Sequence, residues 1–195
     1  VAPTVKNSGA LGEYDGGSGS TITFNIPSCV VGDYIVLFQG VDWSFPSGSG
    51  NPLPDVSTAG ITWTARTIQY PDTNDRGFNV AWTGVVTSAG TRSVTVASGS
   101  RDATVNGNWY HLNDEWTFHG AATTNTQPSA SSYPAPSIAS CETGDELFAA
   151  WQSEYQLPEA FDPPGGMTDV HTTAGGDGWQ TSARRTIASD GASGT

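Results

Sequence analysis

Basic residues are scarce in this chain of 195 residues, and their scarcity limits the partners that the protein can have. Seven Lys and Arg stand against 19 Asp and Glu, which gives a net charge of −12. Nucleic-acid binding requires Lys and Arg side chains that displace counterions from the phosphates. We therefore expect no nucleic-acid partner, and the same charge argument speaks against an anionic membrane surface.

Long apolar runs and cysteines are also scarce. No run approaches the ~20 residues that a membrane-spanning helix needs, so we expect no membrane partner. The only cysteines are Cys29 and Cys141. Two cysteines cannot supply the disulfide framework that stabilises many small secreted domains.

Recognisable catalytic motifs are absent as well. The chain contains neither the Gly-x-Ser-x-Gly elbow of hydrolases nor a phosphate-binding Gly-x-x-x-x-Gly-Lys loop. Asp114 and Glu115 are adjacent, and a strand directs adjacent side chains to opposite faces. This pair therefore does not supply the two facing carboxylates of a glycosidase. We expect a protein that is not an enzyme and that carries no cofactor.

No set of residues has the spacing of a metal site. His111 and His119 lie near each other in sequence, but a zinc site needs further ligands that the sequence does not offer. Asp72, Asn74 and Asp75 carry the oxygen atoms that calcium prefers. The same residue types are typical of turns, where they bond to their own backbone. We interpret this cluster as a turn and predict no metal site.

What the sequence does contain is one motif written twice. Each copy has Cys, Gly and Asp at the same spacing, followed by a strand-like apolar stretch. These residues are Cys29, Gly32 and Asp33 in the first copy and Cys141, Gly144 and Asp145 in the second. Chance similarity of Gly-Asp turns is the alternative, but further matching blocks follow in the same order. The repeat predicts two similar halves, about 21–120 and 137–195, joined by a connector at 121–136.

The two cysteines occupy equivalent places in this repeat. Equivalent residues near a pseudo-twofold axis can be neighbours, so a disulfide between Cys29 and Cys141 is one alternative. Two small buried thiols are the other alternative, and we favour it.

Strand patterns dominate both halves. Residues 21–26 alternate between apolar and polar side chains, whereas 34–38 are apolar at every position. Residues 147–155 also fit a helix, but their repeat partner favours a strand. We predict an all-β fold, an antiparallel, jelly-roll-like β-sandwich built from two pseudo-repeated halves. A Gly-rich, irregular N-terminal arm at 1–20 is expected to precede this single domain at 21–195.

The repeat also predicts a gap at the end of the chain. In the first half Gly90 and Thr91 lead into a strand at 93–97, whereas the equivalent Gly194 and Thr195 are the last residues. We expect further residues, or a strand of a neighbouring subunit, to fill a gap beside the strand that contains Ala183.

Aromatic residues in loops are the candidate binding residues. Trp43 and Phe45 lie in a long Pro- and Gly-rich loop at 41–58, and Tyr155 is their counterpart in the second half. Exposed aromatic rings stack on surface glycans or pack into a partner protein. The alternative, which we slightly favour, is that the rings fold back and cap one end of the sandwich.

The order of these blocks resembles a family of jelly-roll or β-sandwich domains that is common in virion proteins of tailed phages. The matching residues are Pro27, Gly32, Asp33, Gly60, Thr62, Ala81, Gly90 and Thr91, then Gly144, Asp145, Gly165, Thr168, Ala183, Gly194 and Thr195. The resemblance implies a structural protein on the virion surface, either a capsid decoration protein or an appendage subunit.

The partners that the resemblance implies are the major capsid protein, other virion proteins or further copies of this chain. It transfers no catalytic residues. A carbohydrate-binding module or adhesin is the alternative function, and a glycoside hydrolase is the less favoured one.

Overall fold

The described part of the chain folds entirely into strands and turns. The computed structural model describes residues 4–12, 14–18, 21–42, 55–69, 78–97, 102–114, 116, 118, 138, 140–153, 166–175 and 178–190. These residues form twelve strands and no helix. Within them, no helix has the length and hydropathy of a membrane span.

The strands vary from three to eleven residues in length. They are β1 (Val5–Ala10), β2 (Tyr14–Ser18), β3 (Thr21–Cys29), β4 (Tyr34–Asp42), β5 (Asp55–Ser57), β6 (Ile61–Gln69), β7 (Phe78–Val86), β8 (Gly90–Ala97), β9 (Asp102–Leu112), β10 (Glu146–Ser153), β11 (Thr168–Gly175) and β12 (Gly178–Thr186).

The strands form three antiparallel sheets. The central sheet has six strands in the order β1-β9-β4-β7-β6, with β2 also paired to β9. The first outer sheet has the order β3-β8-β5, and the second outer sheet has the order β10-β12-β11. Every pairing between described strands is antiparallel. The prediction of an all-β antiparallel sandwich is confirmed, and the jelly-roll connection and the two-half construction stay predictions.

Strand β4 explains how the sheets pack. Its side chains alternate between the two faces of the central sheet. Ile35 and Leu37 join the first core, which the central sheet shares with the first outer sheet. Val36 and Phe38 join the second core, where Phe148 of the second outer sheet packs. The molecule therefore has three layers, and β4 is apolar at successive positions because both of its faces are buried.

The segment at 1–20 differs from the expected irregular arm. Its strands β1 and β2 both pair with β9 in the central sheet. Gly9 allows the strand to pack closely against Trp109, because a Cβ at this position would lie 3.2 Å from the indole ring. The Gly-rich composition suggested irregular structure, but pairing along the edge of β9 satisfies the backbone and overrides this local preference.

The predicted gap beside Ala183 is wrong. Strand β12, which contains Ala183, is the middle strand of the second outer sheet and is paired with β10 on one side and β11 on the other. The alignment of the two copies therefore fails near the end of the chain. The strand prediction for 147–155 is confirmed over the described residues, because Glu146–Ser153 forms β10.

Three strands of each half nevertheless share one arrangement. In the central sheet β7 lies between β4 and β6, and in the second outer sheet β12 lies between β10 and β11. In each half the strand that follows the Gly-Asp turn, β4 or β10, pairs with the third of the three strands along the chain, β7 or β12. Among the described residues of the second half, no sheet corresponds to β3-β8-β5.

Candidate functional site

The two Gly-Asp turns have the same geometry. Asp33 accepts a hydrogen bond from the backbone N–H of Val30 at 2.7 Å, and Asp145 accepts one from Glu142 at 2.8 Å. The glycine before each Asp has a positive φ, +95° and +97°, which glycine adopts without strain. The interpretation of both Asp residues as turn residues is confirmed.

The first turn also holds a buried ionic cluster. Lys6 Nζ lies 2.6 Å from Asp33 Oδ1 and 2.8 Å from Oδ2. His111 Nε2 lies 2.7 Å from Asp33 Oδ2. The side chains of Asp33 and His111 are almost fully buried, and Lys6 is 31% exposed. The cluster therefore joins β1, the turn before β4 and β9, three segments that are distant in sequence.

The electrostatics of this cluster favour a structural role. Burial alone would raise the pKa of Asp33, but hydrogen bonds from Lys6, from the Val30 N–H and from His111 together hold that pKa below its ordinary value. The carboxylate is therefore ionised at neutral pH and compensated by its donors.

The cysteines lie on opposite sides of the central sheet. Cys29 belongs to the first core, and its Sγ donates to the carbonyl of Ile26 at 3.5 Å. Cys141 lines a cleft on the other face. Both thiols are buried and free, so the disulfide alternative is not formed. Burial and the nearby Asp33 raise the pKa of Cys29, which keeps it a thiol and a poor nucleophile.

The cleft opens between the central sheet and the second outer sheet and has a volume of about 450 Å³. Its walls are mainly apolar and aromatic. The apolar lining residues include Val36, Phe38, Ala81 and Leu112 from the central sheet and Leu147, Phe148 and Ile187 from the opposite side. Trp116 and Phe118 add further aromatic surface. This is the size and polarity of a site for a small apolar ligand.

One cation, Arg66, lies on the central-sheet wall of the cleft. Its Nε donates to Thr83 Oγ1 at 2.8 Å, and its Nη2 donates to Tyr34 Oη at 3.4 Å. Its guanidinium carbon lies 4.2 Å from the ring centre of Phe118, which is itself 43% exposed. Two hydroxyl groups and a ring therefore fix the orientation of the guanidinium group.

The opposite wall is acidic. Glu142, Asp145 and Glu146 line it. Glu146 is already neutralised, because its Oε1 lies 2.6 Å from Arg184 Nη1 and its Oε2 accepts from Thr186 at 2.8 Å. The cleft therefore has a guanidinium group on one wall and carboxylates on the other.

Beside the cleft, buried polar contacts join the central sheet to the second outer sheet. Tyr110 Oη donates to the carbonyl of Asp169 at 3.0 Å and bonds to Ser182 Oγ at 2.9 Å. Asn108 Nδ2 donates to Gln180 Oε1 at 3.3 Å. Burial raises the pKa of Tyr110 to about 12, although the bond with Ser182 acts in the opposite direction.

The predicted aromatic binding residues Trp43, Phe45 and Tyr155 lie outside the described residues. Within the described part of the chain, no group of three or more His, Cys, Asp or Glu side chains is placed to hold a metal ion. His119 also lies outside the described residues, and His111 is engaged by Asp33.

Sequence reasoning missed both Lys6 and Arg66. Lys6 is the single lysine of the chain, and that rarity was a signal. Arg66 has no local signal, because its partners Tyr34, Thr83 and Phe118 come from three distant segments. Comparison of the chain with protein-family models, curated proteins and solved structures gives no match.

Proposed function

We propose that this chain is a structural protein on the surface of a tailed-phage particle, a capsid decoration protein or appendage subunit that works by binding neighbouring proteins. Its partner is the major capsid protein, another virion protein or a second copy of the chain. The order of the sequence blocks supports this assignment to a virion. The all-β fold is compatible with it.

The observation that carries the binding role is an exposed pair of valines. Val30 and Val31, at the first Gly-Asp turn, are 53% and 58% exposed. The turn itself does not need them, because the second turn has Glu142 and Thr143 at the same positions and keeps the same hydrogen bond. In the proposed role these adjacent exposed apolar side chains form part of the contact with the neighbouring protein.

The test is co-sedimentation of the purified chain with phage particles that were assembled without it. We expect the wild-type chain to sediment with the particles and the double variant Val30→Lys, Val31→Lys to remain in the supernatant. Val170 is the matched control, since it is also an exposed valine, 44%, but lies on β11. Val170→Lys should bind like the wild type.

Failure of the wild-type chain to sediment with any particle component or with itself would contradict the binding role. If the double variant and the control bound equally well, the valine pair would not be part of the contact. An image of the labelled chain on the particle then locates it on the head or on an appendage.

A further inference from the structure

Arg66 is the basic residue that lines the cleft. Acidic residues outnumber basic residues by 19 to 7. Even so, among the residues that the structure describes, no carboxylate forms an ion pair with Arg66. Its protein contacts are the neutral groups of Thr83, Tyr34 and Phe118. A guanidinium group that is oriented but not neutralised is a ready partner for a planar anion such as a carboxylate.

The cleft beside Arg66 suits a slender apolar chain. It lies between two sheets, and packed sheets are separated by about 10 Å. Val36, Phe38, Leu112, Phe148 and Ile187 contribute apolar surface to its walls. A volume of about 450 Å³ is at the lower end of the range for small-molecule sites, about 300–1,000 Å³. Such a slot favours one hydrocarbon chain over a bulky ligand.

The charges of the walls decide where in the cleft the anionic end of a ligand lies. Glu142, Asp145 and Glu146 lie on the second-outer-sheet wall, where Glu146 is already paired with Arg184, so that wall does not attract an anionic group. Arg66 on the central-sheet wall attracts it, although solvent partly screens this attraction because Arg66 is exposed. An anionic head group therefore has one favourable position, at Arg66.

We propose that the cleft binds an amphipathic carboxylate of the fatty-acid type. The unbranched apolar chain lies between the two sheets, and the carboxylate accepts hydrogen bonds from the guanidinium group of Arg66. A lipid with two acyl chains does not suit a slot that holds one chain. This inference does not depend on the virion assignment, because it concerns a different surface from the valine pair.

The experiment is isothermal titration calorimetry of the purified full chain with decanoate below its micelle concentration. Decyltrimethylammonium has the same apolar chain and the opposite charge. We expect decanoate to bind about threefold to fivefold more tightly than the cation, since fivefold corresponds to the upper value of about 1 kcal/mol for an exposed Arg–carboxylate pair. Arg66→Met should reduce the affinity for decanoate about threefold to fivefold.

Two further variants complete the design. Arg92 lies on β8 in the first outer sheet, where it donates to the carbonyls of Ala59 and Ala89. Arg92→Met is the matched control and should leave the decanoate affinity unchanged. Ala81→Leu narrows the cleft floor and should weaken binding of decanoate, and it tests the site without altering Arg66.

Three results would overturn the proposal. The first is no binding of decanoate to the wild-type chain. The second is equal affinity for decanoate and decyltrimethylammonium. The third is a decanoate affinity that Arg66→Met leaves unchanged or, if that variant does not fold, that Ala81→Leu leaves unchanged. Thermal melting of each variant establishes whether it is folded before the titration.

Discussion

Asp33 and Asp145 hold the same position in two turns, and each carboxylate accepts a hydrogen bond from the backbone N–H three residues before it. Their surroundings differ. Asp33 is 1% exposed and contacts Lys6 and His111, whereas Asp145 is only half-buried. In the first half the Asp33 carboxylate therefore joins three segments, whereas in the second half the turn is joined to the chain after β12 through Thr143 and Asp190.

Because of this difference, replacement of each Asp by Ala should lower the free energy of unfolding by a different amount. Asp33→Ala removes the partner of the buried His111 and of Lys6, and loss of one member of a buried ion pair costs about 3–5 kcal/mol. Asp145→Ala acts at a half-buried carboxylate, where water compensates part of each lost contact, so its cost should be smaller. Urea unfolding at pH 7 measures both values. Equal losses of unfolding free energy would show that the Lys6–Asp33–His111 cluster contributes no stability.

The same cluster predicts a loss of stability in acid. The pKa of Asp33 is lower in the folded protein than in the unfolded chain, where it is about 3.9. The stabilisation by the ionised carboxylate is therefore complete above that pH and is lost as the pH falls through the folded-state value. Urea unfolding between pH 6 and pH 3 should show a smaller decrease in stability for Asp33→Asn than for the wild type. Parallel decreases would contradict the assignment.

Ionisation of Tyr110 should lower the stability of the fold in alkali. Its pKa rises from 10.0 to about 12 in the folded protein because of burial. The neutral phenol is favoured by folding, so its contribution is complete below about pH 10 and is lost as the pH rises toward 12. A shift of this size corresponds to about 2–3 kcal/mol. Urea unfolding at pH 9 and pH 11 should show a smaller loss for Tyr110→Phe than for the wild type.

At neutral pH, Tyr110→Phe should itself cost about 1–2 kcal/mol, because the carbonyl of Asp169 and the hydroxyl of Ser182 lose a partner. An identical alkaline profile for the variant and the wild type would mean that another group causes the loss.

The close packing around Gly107 predicts that a larger residue at this position destabilises the central sheet. A Cβ at this position would lie 2.3 Å from the carbonyl oxygen of Phe38, and a backbone atom cannot move aside as a side chain can. Gly107→Ala should therefore destabilise the fold by about 3 kcal/mol or more. Gly9→Ala is the matched control in the same sheet, since its Cβ would meet the Trp109 ring at 3.2 Å.

Thermal melting compares these two glycine variants. The control should lose clearly less stability than Gly107→Ala, because the Trp109 side chain can shift by a few tenths of an ångström. A mild effect at Gly107 would indicate that β4 and β9 are farther apart than the structure shows.

Local sequence signals were enough to predict strand β3 and the two Gly-Asp turns. The alternation at 21–26 predicted β3, because a half-buried strand places successive side chains on opposite faces. The Gly-Asp pairs predicted both turns, because glycine accepts a positive φ without strain and Asp bonds to nearby backbone. Both signals act over a few residues and do not depend on the rest of the fold.

The sequence also showed that 34–38 is apolar at every position, but it did not show why. Only the tertiary structure shows that β4 lies between two cores, with Leu37 in one and Phe38 in the other. The incorporation of β1 into the central sheet and the complete pairing of β12 were likewise decided by long-range partners. Composition could not indicate them, because a strand edge accepts whichever backbone reaches it.

Tertiary structure, rather than local sequence, decided which residues come together in the candidate site. Arg66 is oriented by Tyr34, Thr83 and Phe118, and its nearest partner in sequence is 17 residues away. No periodicity or short motif joins such residues, because sheet register and layer packing bring them together. The sequence determined the elements of this protein, and the pairing and stacking of those elements determined where its charged and apolar surfaces meet.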